Sequence, residues 1–132
     1  MKLSYFALPL AGVLLAGCAS VGEQLTTKGY AKMSGVEIAD ALPGNSLDGE
    51  DRDGDYVIFY TSADTMRIKY QGRVEEGVWR VDGDQYCRQW ATFGGGKERC
   101  VDLYRSGGSI KWVRNGKVTD RSVLVAGNPA NL

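Results

Sequence analysis

The chain has 132 residues, with 16 lysine and arginine side chains against 16 aspartate and glutamate and no histidine. Balanced charge gives no electrostatic footprint for nucleic acid, and the lack of histidine removes the commonest general base and the usual serine or cysteine triad. This length suits one modest domain.

Met1-Lys2 supplies a positive start, residues 3–15 are apolar apart from Ser4, and Ala16-Gly17 puts two small residues before Cys18. That is the order of a secretion signal. A spanning helix needs roughly 20 predominantly apolar residues, and Ser20, Glu23 and Gln24 turn the chain polar too soon. Leu15-Ala16-Gly17-Cys18 resembles the lipobox of bacterial lipoproteins. The resemblance implies that a signal peptide, residues 1–17, is removed and that Cys18 carries acyl chains of the palmitate class on its sulfur and its new amino group. Several chains, each buried methylene contributing about 0.8 kcal/mol, hold a protein to a bilayer far more durably than one. In that class an aspartate after the cysteine favours inner-membrane retention; Ala19 stands there. The expected location is the outer membrane, facing the periplasm, with the membrane as partner through the anchor. Such a compartment permits disulfides. With Cys18 taken by lipid, Cys87 and Cys100 remain and are expected to pair, closing a loop whose chain entropy is worth roughly 3 kcal/mol.

Residues 18–33 are polar, small and without sustained period, and read as a lipidated tether, whose 14 residues from Ala19 to Lys32 reach about 45–50 Å when fully extended at 3.3–3.6 Å each. The domain proper is expected over 34–132. It opens with one short helix: Ser34 is a fitting N-cap with Glu37 three residues on, Val36, Ile38, Ala39 and Leu42 offer an apolar side, and Pro43-Gly44 ends it. From Ser46 the texture changes to short runs rich in Val, Ile, Tyr, Trp and Thr, punctuated by Gly, Asp and Asn. This is an all-β signal. Strands are expected at 46–50, 55–61, 65–71, 76–82, 85–92, 97–105, 109–114 and 117–126. Met66, Ile68 and Tyr70 alternate with Arg67 and Lys69 as in a half-buried strand.

Asp82-Gly83 and Asn115-Gly116 suit two-residue type I′ turns. A loop at 82 and 83 sets Trp79 opposite Tyr86, Val78 opposite Cys87 and Gly77 opposite Arg88. The glycine-rich 93–96 connection pairs Trp90 with Lys97 and brings Cys87 opposite Cys100, within disulfide range. The same register gathers Trp79, Val81, Tyr86, Trp90, Val101 and Leu103 on one face, with Arg88 and Arg99 among them. Arg80, Gln85, Gln89, Glu98 and Asp102 share the other face with the bridge. The fold class is mainly β, and eight meandering strands with a small core favour closure into an up-and-down barrel; a two-sheet sandwich is the alternative.

Arg88, inward between Tyr86 and Trp90, is a candidate for stacking on an indole while directing its donors to a carboxylate or small anion. Arg99 opposite it is unfavourable unless an anion, an acidic side chain or water intervenes. A possible ligand-binding set is therefore Trp79, Tyr86, Arg88, Trp90 and Arg99. The stretch DGEDRDGDY puts Asp51, Asp53 and Asp55 at the first, third and fifth positions of a calcium loop. Tyr56 then stands where glycine is needed and Ser62 where a bidentate glutamate should close it. A solvated acidic turn is the expectation, with no metal and no cofactor. Asp82, Asp84, Glu98 and Asp102 fall in a turn or outward, so no catalytic residues are assigned.

The string EGVWRVDGDQYCRQW, then Cys100 and the terminal AGNPANL, resembles a pattern of small bacterial envelope proteins. Gly77-Val78-Trp79 is also similar to the Gly-x-Trp of lipocalins, whose tryptophan plugs a calyx beneath an arginine. The resemblance implies a β-barrel and is nearly silent about activity. The expected function is that of a lipid-anchored, non-catalytic envelope lipoprotein, a binding or structural module. Two alternatives stand beside it: a carrier of a small molecule or anion, and a protein inhibitor or assembly accessory acting through its loops, notably 93–96. The partners are then a small ligand or another envelope protein.

Overall fold

The computed structural model describes Gly12 and residues 17–132. The expected signal peptide lies almost wholly outside the described residues; Gly17 and Cys18 are both exposed, and Cys18 takes no part in a disulfide. The folded chain starts earlier than the expected tether allows. Helix α1 (Val21–Thr27) is capped by the Ser20 hydroxyl, which accepts the Glu23 N–H at 3.1 Å. Its Leu25 is buried, and Gly22 sits so close to the Tyr104 hydroxyl that a side chain would collide with it. Strand β1 (Ala31–Lys32) then pairs with Arg105 and Tyr104. The 18–33 tether is thus corrected to a two-residue lead followed by a helix and a strand laid against the barrel. A seven-residue helix with one buried leucine draws its stability from tertiary packing, not from propensity or period.

Helix α2 (Gly35–Ala41) has the expected cap: Ser34 Oγ accepts the Glu37 N–H at 3.2 Å. Two helices are therefore present, not one. The buried stripe of α2 runs through Gly35 and Ile38 to Leu42, whereas Val36 and Ala39, expected on that side, are exposed.

Eight antiparallel strands follow: β2 (Ser46–Asp51), β3 (Gly54–Phe59), β4 (Thr65–Tyr70), β5 (Arg73–Asp82), β6 (Gln85–Trp90), β7 (Arg99–Ser106), β8 (Ser109–Arg114) and β9 (Lys117–Val125). Each pairs with the next, and β9 returns to β2 through Ser46 to Val125 and onward to Glu50 with Arg121. The ring is a closed up-and-down barrel, which satisfies the edge groups that a sandwich of this size would leave open. Alternation fills it. Leu47, Ile58, Met66, Ile68, Val101, Leu103 and Ile110 point inward around a stack of Tyr60, Trp79, Tyr86 and Trp112.

The turn at Asn115-Gly116 is as expected, with positive φ at both residues (51° and 70°) and Arg114 paired with Lys117. The β5–β6 turn is not. Asp82 pairs with Gln85, so the loop residues are Gly83 and Asp84, and of the two only Gly83 has positive φ, at 60°. Trp79 consequently faces Arg88 instead of Tyr86, Arg80 faces Cys87, and Gly77 faces Trp90 instead of Arg88. Because the slide is by two positions, every side chain keeps its face. Asp84 is held at the turn because its carboxylate accepts the Gly35 N–H of α2 at 2.8 Å. A side chain on Gly35 would strike the Gly83 carbonyl, so this contact needs glycine there.

On the outer face a disulfide joins Cys87 and Cys100, directly opposed in the ladder as expected. Beside it Arg80 donates to both oxygens of Glu98, at 3.0 and 2.7 Å. One end of the barrel is closed by Met33, Ile38 and Leu42, all completely buried or nearly so. The other end is ringed by the β2–β3, β4–β5, β6–β7 and β8–β9 connections, and the polar groups converge there.

Candidate functional site

The open end holds a cavity of about 260 Å3. Tyr56, Arg88, Trp112 and Asp120 form its inner wall, and Asp51, Phe93 and Arg99 stand around its rim. A wider depression of about 660 Å3 on the barrel's side, between Arg67, Glu76, Val78 and Gln89, is shallow and open.

Asp120 reaches the interior through a β-bulge. Along β8 and β9, Arg114 pairs with Lys117 and Val113 with Val118, but Trp112 pairs with Asp120. The additional residue, Thr119, shifts the alternation of β9, so Asp120 shares the inward face with Trp112. Bulges often re-aim a side chain next to a site in this way. Asp120 is 4% exposed, with the Thr119 and Tyr56 hydroxyls beside its carboxylate. Burial pushes its pKa up; the nearby Arg88 charge opposes that rise.

Tyr56 lies on the same wall, also 4% exposed, edge-on to Tyr70 and tilted against Trp112. Its hydroxyl has no partner in hydrogen-bond geometry although Asp120 lies beside it, and burial first, then the charge and proximity of Asp120, raises its pKa far above the usual tyrosine range. Arg88 lies over the Trp112 ring, its guanidinium carbon 5.3 Å from the centroid, and its buried Nε is likewise unpartnered. In a native interior nearly every buried polar atom is paired, so two unpaired ones in one small cavity call for a cause.

Of the five residues expected to bind a ligand, Arg88, Trp90 and Arg99 line this cavity. Trp79 and Tyr86 do not. Trp79 donates its indole N–H to the Ser62 carbonyl at 3.1 Å, and the Tyr86 hydroxyl bonds that of Tyr60 at 2.8 Å and meets the Met66 sulfur. Both belong to the core toward the closed end. The indole under Arg88 is Trp112, from β8, and not one of its strand neighbours. Arg99 is directly opposite Arg88 across β6 and β7, as expected, and is exposed at the rim.

The acidic stretch serves its own turn. Asp51 Oδ1 accepts the N–H groups of Asp53 and Gly54 at 2.8 and 3.0 Å, and its two oxygens accept the Tyr70 hydroxyl at 2.9 and 3.0 Å. Burial and that bond push the Tyr70 pKa up to about 12. A second rim element was not apparent from the sequence. Glu75, on β5, accepts the N–H groups of Thr92 and Phe93 at 2.9 and 3.0 Å and the Thr92 hydroxyl as well. It pins the start of the 3-10 turn Phe93–Gly96 and sets Phe93 against Tyr70 at the rim, ring centroids 5.2 Å apart. Burial alone would raise the Glu75 pKa, but these bonds and Arg73 outweigh it and hold it below the usual carboxylate range.

No protein-family model, curated protein or solved structure matches this chain.

Proposed function

We propose that this is a lipid-anchored, non-catalytic envelope protein whose barrel acts as a binding module, taking a small polar ligand into its open end. The observation that carries the reading is the pair of buried polar atoms without a partner within hydrogen-bond distance, the Tyr56 hydroxyl and Arg88 Nε, in one cavity that the Asp120 carboxylate also lines. A ligand pocket with aromatic walls and a few convergent polar groups has this composition. The non-catalytic part is supported by the absence of histidine and by the disulfide, which occupies both domain cysteines. The lipid part rests on Leu15-Ala16-Gly17-Cys18 alone, with the outer membrane and a periplasm-facing orientation as the expected location.

Two measurements test the parts separately. Cys18→Ser should release the protein from the membrane fraction or leave it unprocessed, and an unchanged fraction would refute lipidation. Tryptophan fluorescence against a panel of small anionic, zwitterionic and apolar compounds should respond through Trp112 and Trp90, and Arg88→Ala should abolish the response while the circular dichroism spectrum is retained. Silence across the whole panel overturns the binding reading.

A further inference from the structure

We infer that the ligand is a small zwitterion, carrying a carboxylate and an ammonium group a few bonds apart. The inference rests on the binding reading above and deepens it. Both signs of charge line the cavity. Arg88 and Arg99 are directly opposed on β6 and β7. Two guanidinium groups facing each other across a ladder repel unless something negative lies near them, and a planar fork of donors is the geometry that a carboxylate matches. No acidic side chain forms an ion pair within 4.0 Å of either arginine among the described residues.

A carboxylate lines the cavity as well: Asp120 on β9, paired with Trp112 of β8. Burying a carboxylate is costly, and an ammonium group supplies both the opposite charge and strong hydrogen bonds. The Tyr56 hydroxyl, in the same wall and able to donate or accept, fits either end. Tyr56 also presents ring surface, which attracts a cation.

Size narrows the class further. About 260 Å3 is the room of roughly eight or nine water molecules at ~30 Å3 each, enough for a short amino acid but not for a peptide or a sugar chain. A ligand with only one charge would engage the arginines or Asp120 but not both. That shortfall, not the attraction alone, is what selects for both groups.

The test titrates the full chain calorimetrically with glycine, β-alanine and γ-aminobutyrate, and separately with butyrate and butylammonium. The best of the three zwitterions is expected to bind at least ten-fold more tightly than either single-charge probe. Asp120→Asn should erase the advantage over butyrate, and Arg99→Gln, at the exposed rim where folding is least at risk, should weaken the advantage over butylammonium. If butyrate or butylammonium equals the zwitterions, the inference falls while the cavity stands as a binding site for that one charge. If all five probes fail but another compound of the fluorescence panel binds, the inference alone falls. If that panel is silent as well, the binding reading falls with it.

Discussion

Trp112 and Asp120 face each other across β8 and β9 only because β9 carries one more residue than β8 between this pair and the next, Val113 with Val118. That single irregularity turns a carboxylate toward the barrel interior, where burial disfavours its charged form.

The pH dependence of stability follows. The folded-state pKa of Asp120 is raised above its unfolded value, so its contribution is fully present below the unfolded pKa and is lost as pH rises through the folded one. Asp120→Asn should therefore melt higher than the parent at neutral pH, and the gap should close as pH falls below about 4. Thermal melts of both proteins between pH 3 and 8 measure this; a variant that melts lower at every pH refutes it.

Glu75 has the opposite sign. Its pKa is held down in the fold, so its stabilisation is present above the unfolded carboxylate value and is lost as pH falls through the depressed one. Glu75→Ala leaves the Thr92 and Phe93 N–H groups without their acceptor and should cost about 1–3 kcal/mol. Hydrogen exchange should quicken at Phe93–Gly96 and not in β2 or β9.

Gly77 has no room for a side chain. A Cβ there would lie 2.5 Å from the Trp90 ring and 2.8 Å from the Gln89 carbonyl oxygen. Gly77→Ala should destabilise by about 1–3 kcal/mol through overpacking and shift the tryptophan emission. Urea unfolding followed by fluorescence reads both.

The disulfide joins opposed residues on adjacent strands, and its loss should cost roughly 3 kcal/mol by chain entropy. Cys18→Ser protein from oxidised material should show no titratable thiol when denatured without reductant, and two after reduction. Any thiol before reduction contradicts the bridge.

The sequence made the barrel legible because each strand carries its own alternation and each hairpin its own turn residues. All eight expected strands are present, and the 93–96 connection placed Cys87 against Cys100 correctly. Features that depend on residues remote in sequence were not legible. The β5–β6 turn closes at Gly83 and Asp84 because Asp84 is engaged by Gly35, 49 residues earlier. Glu75 has meaning only once the 93–96 turn folds back onto β5. Asp120 looks like one more polar residue in a strand until the bulge at Thr119 is known. Of the site, Arg88 and Arg99 were visible as opposed inward charges, whereas their acidic counterpart and Tyr56 were not.

Helix α1 changes how far the domain can stray. With acyl chains at position 18, only Cys18 and Ala19 separate the bilayer from the Ser20 cap, a leash of about 7 Å where an unfolded 14-residue segment would reach about 45–50 Å. A barrel anchored in the proposed way would ride against the lipid surface like a moored float, and a partner would have to come to it.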